Sequence, residues 1–115
     1  MNHARESRQY ILDMLDANTK ALAFVKGIEK EEFLNNEEKI FAVIHALERM
    51  GEAAKHVPAG IKKKYPDVPW RSITGTRDKL IHAYFDVHVE RLWYTVVDDL
   101  PGLEQALRAI LIEMD

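Results

Sequence analysis

The chain has 115 residues, 47% of them hydrophobic and 30% charged, which fits one folded domain over residues 1–115 and excludes a disordered or collagen-like chain. With no cysteine, a disulfide framework, thiolate-bound zinc, iron–sulfur clusters and a thiol nucleophile are excluded as well. The net charge of −3 hides an asymmetry, since residues 55–79 carry seven basic and two acidic side chains and the remainder nine basic and seventeen acidic. That middle segment is either the place for an anionic ligand or a lysine-rich solvated face.

The N-terminal MNHARESRQY has no apolar leader segment, and no stretch approaches the roughly 20 apolar residues of a membrane span. A cytoplasmic protein with no membrane partner is therefore expected. Over residues 4–26, Ile11, Met14, Leu15, Asn18, Ala21, Leu22 and Val25 recur at the three- and four-residue intervals of a helix with one buried stripe, and Gly27 can end it. Asn35 and Asn36 ahead of Glu37 and Glu38 form a helix start, because an amide can cap free N–H groups and acids favour the positive end. The helix that follows, over about 36–56, places Ile40, Ile44, Leu47, Gly51 and Ala54 on one face, with Gly51 allowing close approach of another helix. Pro58 suits the first turn of a short helix through Tyr65, and Pro66–Pro69 is expected to be extended. Pro69 can open a helix through about Phe85. Asp86 can cap the last one, in which Val89, Leu92, Trp93, Val96, Val97 and Leu100 form a stripe that Pro101-Gly102 should kink or divide. No alternating strand pattern competes. The fold class is all-α, an antiparallel bundle of four to six helices.

Chemistry concentrates in WRSITGTRDKLIHAYF, residues 70–85. At 100° per residue Arg77 falls within an apolar stripe that includes Trp70, Ile73, Leu80, Ile81 and Tyr84. A guanidinium stays charged and is costly to bury unpaired, so this position calls for a carboxylate such as Glu48 or Glu52, a partner chain or an anionic ligand. His82 follows Asp78 by four residues, so Asp78 can orient the imidazole, with Gly75 leaving a notch one turn back. A surface histidine in a helical ion pair has the same spacing. Arg77 and His82 lie about 140° apart on the wheel, so a twofold junction of two copies would bring both residues from each chain into one cleft; the expectation is a homodimer with an interface site. The five histidines show no paired metal spacing, phosphate-cradling glycine loops and the G-x-S-x-G signature are missing, and neither a metal nor another cofactor is expected. Trp93 and Tyr94 read as core and rim rather than as a base-stacking platform.

Arg77-Asp78-Lys79-Leu80-Ile81-His82-Ala83-Tyr84 resembles the R-x4-H-x-Y motif of the HEPN superfamily, in its HepT branch of toxin ribonucleases. Phe33-Leu34, Leu47-Glu48-Arg49-Met50-Gly51-Glu52-Ala53-Ala54, Tyr65-Pro66-Asp67-Val68-Pro69-Trp70-Arg71 and Asp98-Asp99-Leu100-Pro101 are similar to that branch in order and spacing, over nearly the whole chain. The resemblance implies an all-helical homodimer that cuts RNA without a metal, as the toxin of a type VII toxin–antitoxin system. Its partner would be an MntA-type minimal nucleotidyltransferase antitoxin. It makes Arg77 and His82 the catalytic pair, with Asp78 in a supporting position where many relatives have asparagine, and Ala83 where aspartate is frequent. It makes Tyr84 the residue that the antitoxin modifies with AMP; by its pattern alone Tyr84 is equally a core tyrosine. Lys79 and Lys62, Lys63 and Lys64 would hold flanking RNA phosphates without reading bases. A non-catalytic helical adaptor that docks a nucleotidyltransferase is the alternative reading.

Overall fold

The long stripe of the N-terminal segment forms α1 (His3–Val25) in the computed structural model, which describes residues 3–82 and 88–114, with side chains over 5–76 and 88–114. Gly27 turns the chain out of α1 at φ +77°, a left-handed conformation that glycine adopts without a Cβ clash. A short helix absent from the sequence reading, α2 (Lys30–Leu34), comes next. Five residues are too few to show a helical period, and what holds them is tertiary. Phe33 is fully buried, with its ring 5.6 Å from that of Trp93.

Asn36 caps α3 (Glu37–His56) by accepting from the Lys39 N–H at 3.0 Å, as the asparagine-then-acid pattern predicts. The helix α3 runs antiparallel to α1. Near the start of α1 and the end of α3, Tyr10 stacks on His56 at 5.4 Å; halfway along, Arg49 lies 3.8 Å from Asp16; at the other end, the Lys39 ammonium donates to the Phe24 carbonyl at 2.9 Å. Ile44, Leu47, Met50, Gly51 and Ala54 form the buried face of α3, with Ile40 partly buried at its margin.

Pro58 precedes α4 (Ala59–Lys64). The segment from Pro66 to Pro69 departs from expectation. Rather than extended, it contains a tight turn in which the Val68 N–H donates to the Tyr65 carbonyl at 3.3 Å, with Pro66 at the turn position where its fixed φ is most favourable. The Trp70 indole N–H then donates to the Tyr65 carbonyl at 3.0 Å, and with this anchor the ring is buried at the start of α5 (Trp70–His82).

The expected Asp86 cap lies outside the described residues. His88 occupies the N-cap position of α6 (Val89–Tyr94) without a side-chain cap bond. The expected break at Pro101 takes a specific form, a π-helical turn over Thr95–Asp99 that leads directly into α7 (Leu100–Met114). Proline has no N–H for the carbonyl one turn back, so the ladder re-registers upstream, and Pro101 sits in the first turn of α7, where the missing donor costs least. Leu92, Val96 and Leu100 are buried at four-residue spacing across this joint.

The long helices share one core. Helix α3 packs on both α1 and α5, and α7 lies along α1. Ile11, Met14, Phe33, Val43, Met50, Val96, Leu107 and Ile110 have at most 2% of their surface exposed, and burying each contributes roughly 1.5–3 kcal/mol. The described residues contain helices and turns and no strand, so the protein is all-α.

Candidate functional site

Helix α5 carries the chemistry-bearing motif. Arg77, Asp78, Lys79 and His82 lie on its last two turns, so the four-residue interval from Asp78 to His82 spans one helical turn. The side chains of these four residues, and Tyr84 as a whole, lie outside the described residues. The site can therefore be built from the first two turns of α5 and the elements around them.

The start of α5 is a ridge between two grooves of opposite charge. On one side a cavity of about 690 Å³ opens between α3, α5, the π-turn and α7. Its floor is apolar, with Leu47, Met50, Val68, Leu100 and Leu103, and its rim holds Thr76, Arg91, Tyr94, Asp67, Asp98 and Asp99. Three carboxylates against one guanidinium give this rim a negative bias. Tyr94 is 44% exposed there, and its hydroxyl accepts from the Lys30 ammonium at 3.2 Å. Lys30 also lies 3.6 Å from Glu90 and over the Tyr94 ring at 5.3 Å. The Tyr94 hydroxyl, and secondarily the Glu90 charge, hold Lys30 above the ordinary lysine pKa. Trp93 packs against the core while Tyr94 stands at the rim, as their placement in the sequence pattern implies.

On the other side a more open groove of about 990 Å³ is lined by Lys62 of α4 and by Arg71, Thr74 and Gly75 of α5, with Val68 and Pro69 at its end. Among the described residues no carboxylate lines this groove. It is thus the cationic counterpart of the acidic rim across the ridge. Of the lysines assigned to phosphate binding, Lys62 lines this groove, Lys63 is exposed, and the Lys64 ammonium lies 5.7 Å from the Tyr65 ring. Arg71 belongs to the basic segment, and its pattern alone gives it no assigned role. The signal available was its place next to buried Trp70, which fixes the helix at that point and turns the neighbouring position outward.

Two threonine hydroxyls of α5 bond back into the helix, Thr74 to the Trp70 carbonyl at 3.1 Å and Thr76 to the Ser72 carbonyl at 2.9 Å, and are held as donors rather than presented as nucleophiles. Glu52, considered as a partner for Arg77, lies 3.2 Å from the His56 imidazole. Among the described residues no group of three histidine or acidic side chains converges for a metal ion. No helix among them is long and apolar enough to cross a membrane.

Comparison with known proteins adds to this geometry. A family model described as ribonuclease HepT-like matches residues 14–110. A protein of Thermococcus cleftensis named a probable ribonuclease HepT is 44% identical over 100 residues, covering 87% of this chain and 91% of the relative. A putative RNase of Methanocaldococcus jannaschii is 35% identical over 111 residues, with 96% and 92% covered. A putative RNase of Caldanaerobacter subterraneus subsp. tengcongensis is 38% identical over 104 residues, with 90% and 93% covered. No solved structure matches the chain.

Proposed function

The chain belongs to the HepT-like ribonuclease family, and from that premise we propose that it is a metal-independent endoribonuclease toxin in which Arg77 and His82 carry the reaction. The observation that carries this reading is the family match across residues 14–110 together with the continuous helical backbone that holds Arg77 and His82 on α5. The substrate's ribose 2′-hydroxyl attacks the adjacent phosphorus, the P–O5′ bond breaks, and a 2′,3′-cyclic phosphate and a 5′-hydroxyl are left. His82 moves the proton that leaves the 2′-oxygen and the one required by the departing 5′-oxygen. Arg77 stabilises the charge that gathers on the phosphoryl oxygens. Asp78, one turn before His82, orients the imidazole. The need for a 2′-hydroxyl explains a preference for RNA over DNA. Lys79 and Lys62, Lys63 and Lys64 hold flanking phosphates.

Two copies of the chain form the active unit, each contributing its α5 to one cleft. An MntA-type nucleotidyltransferase neutralises the toxin by transferring AMP to Tyr84. The added phosphate and nucleoside would then occupy the anion site near Arg77 and exclude RNA.

The test is cleavage of a defined RNA by the purified protein in excess EDTA. The wild type should cut it and leave cyclic-phosphate ends, while Arg77→Ala and His82→Ala should lose at least a hundredfold in rate, the lower range for a removed general acid–base group. Cleavage unchanged in both variants would overturn the catalytic assignment. A wild type that binds a nucleotidyltransferase and cuts nothing would favour the adaptor reading. Intact mass of the chain co-purified with the antitoxin tests the modification: an increase by whole adenylyl units, lost in Tyr84→Phe, supports it. An unmodified mass in the neutralised complex refutes it.

A further inference from the structure

Gly75 stands in the interior of α5, where glycine destabilises a helix relative to alanine. A glycine at such a position ordinarily has one of three reasons. The first is a left-handed backbone, but among the described residues only Gly27 has a positive φ. The second is close approach by another part of the same chain, the role that buried Gly51 fits in α3. Gly75, by contrast, is only partly buried, and a Cβ built on it meets no atom of the described residues within 4 Å. The third is close approach by something outside the chain.

The surroundings indicate what that is. Gly75 forms part of the cationic groove, with Lys62 on the α4 wall and Arg71 one turn earlier on α5. The opposite face of the ridge carries Asp67, Asp98 and Asp99 and repels an anion. Among the described side chains, the balance of charge favours a phosphodiester strand on the Lys62–Arg71 side of α5. We propose that this groove is a binding subsite for single-stranded RNA, in which the ribose–phosphate backbone passes directly over Gly75 with its phosphates bracketed by Lys62 and Arg71. This rests on the ribonuclease reading for the choice of RNA, and it adds a substrate class and two residues, Arg71 and Gly75, that the motif does not include. Arg71 and Arg77 are six residues apart, about 9 Å along the helix axis, so a strand held at Arg71 continues toward the reacting phosphate. The cations lie on two walls of one groove and bracket one strand. A duplex would present a second strand with no cationic partner there.

The experiment separates fold from binding, because Gly75→Ala should strengthen the helix while obstructing the strand. Binding is measured by fluorescence anisotropy of a short fluorescein-labelled single-stranded RNA in the His82→Ala background, with the matching duplex RNA as a second probe. Gly75→Ala should melt about 4 °C higher and bind the single strand about tenfold more weakly. Arg71→Ala and Lys62→Ala should each weaken binding several-fold and reduce the slope of log affinity against log salt by about 0.7, the value for one single-strand phosphate contact. With His82 intact, the same substitutions should raise KM and leave kcat within about twofold, since uniform binding is what they remove. Unchanged affinity in Gly75→Ala and Arg71→Ala would overturn the subsite. Duplex RNA binding as tightly as the single strand would overturn it too, and so would conversion of a wild-type dimer to monomers by Gly75→Ala, which would make a second copy the occupant. These results are independent of catalysis: loss of cleavage in His82→Ala with no effect at Gly75 and Arg71 would retain the ribonuclease and reject the subsite, and the reverse pattern would do the opposite.

Discussion

Asn18 offers a quantitative test of how this core is held. It is fully buried in α1, and its Nδ2 donates to the Leu100 carbonyl at 3.2 Å, linking α1 to the first residue after the π-turn. Its Oδ1 is buried with no hydrogen-bond partner among the described residues. Replacing Asn18 with leucine, close to it in shape, loses one neutral hydrogen bond, worth about 1 kcal/mol. The Leu100 carbonyl still accepts within α7, so nothing new is left unpaired. The change also removes a desolvated amide oxygen, which costs about 1–3 kcal/mol, and adds apolar burial, with overpacking of about 1 kcal/mol against it. The balance predicts that Asn18→Leu is more stable than wild type by about 1 kcal/mol, with a rise in Tm of about 4 °C. Asn18→Asp instead buries a carboxylate against a carbonyl and should lose several kcal/mol at neutral pH, part of it recovered in acid as the carboxyl becomes neutral. Urea unfolding followed by circular dichroism measures both. Destabilisation of Asn18→Leu by more than about 2 kcal/mol would refute the reasoning and show that the amide oxygen is satisfied, for instance by a buried water.

Phe33→Ala should destabilise the protein by about 3–5 kcal/mol, because the fully buried ring docks α2 and packs against Trp93 of α6; chemical denaturation checks the size of the loss. The Lys20 ammonium, bonded at 2.9 Å, holds the Asp16 carboxyl below the ordinary aspartate value of 3.8. A depressed folded-state pKa contributes stability that is present above the unfolded value and is lost as pH falls through the folded one. Asp16→Asn should therefore lower the neutral plateau slightly and flatten the acid limb, its difference from wild type vanishing as pH falls below about 4. High salt should shrink the difference, since the pair is exposed.

Much of the architecture was legible in the chain because helices are encoded locally. The stripe from Ile11 to Val25, the Asn36 cap and Gly27 each depend on residues within a turn or two of one another, and each appears where the pattern places it. The R-x4-H-x-Y motif and the Pro-Trp-Arg block likewise identify the family from residue types at fixed spacing, and the family match over residues 14–110 bears this out. Elements whose stability comes from elsewhere were not legible. Helix α2 is held by Phe33 against Trp93, a contact between residues sixty positions apart. At Pro66–Pro69 the sequence points to an extended segment because proline excludes helix from the residue before it, and the choice among the remaining conformations comes from the Tyr65 carbonyl accepting from both Val68 and Trp70.

The division at the site has the same origin. Charge counting along the chain could locate a basic middle segment, but a linear sequence does not say which charges share a surface. Tertiary packing decided that Lys62 and Arg71 line one groove while Asp67, which is closer to both in sequence, faces the other with Asp98 and Asp99. Residue types and short spacings determine helices and motifs because their interactions span a few ångströms of one chain segment. The sorting of Lys62 and Arg71 from Asp67, Asp98 and Asp99 depends on how α4, the π-turn and α7 are arranged around the start of α5, and so on the packing of segments far apart in the sequence.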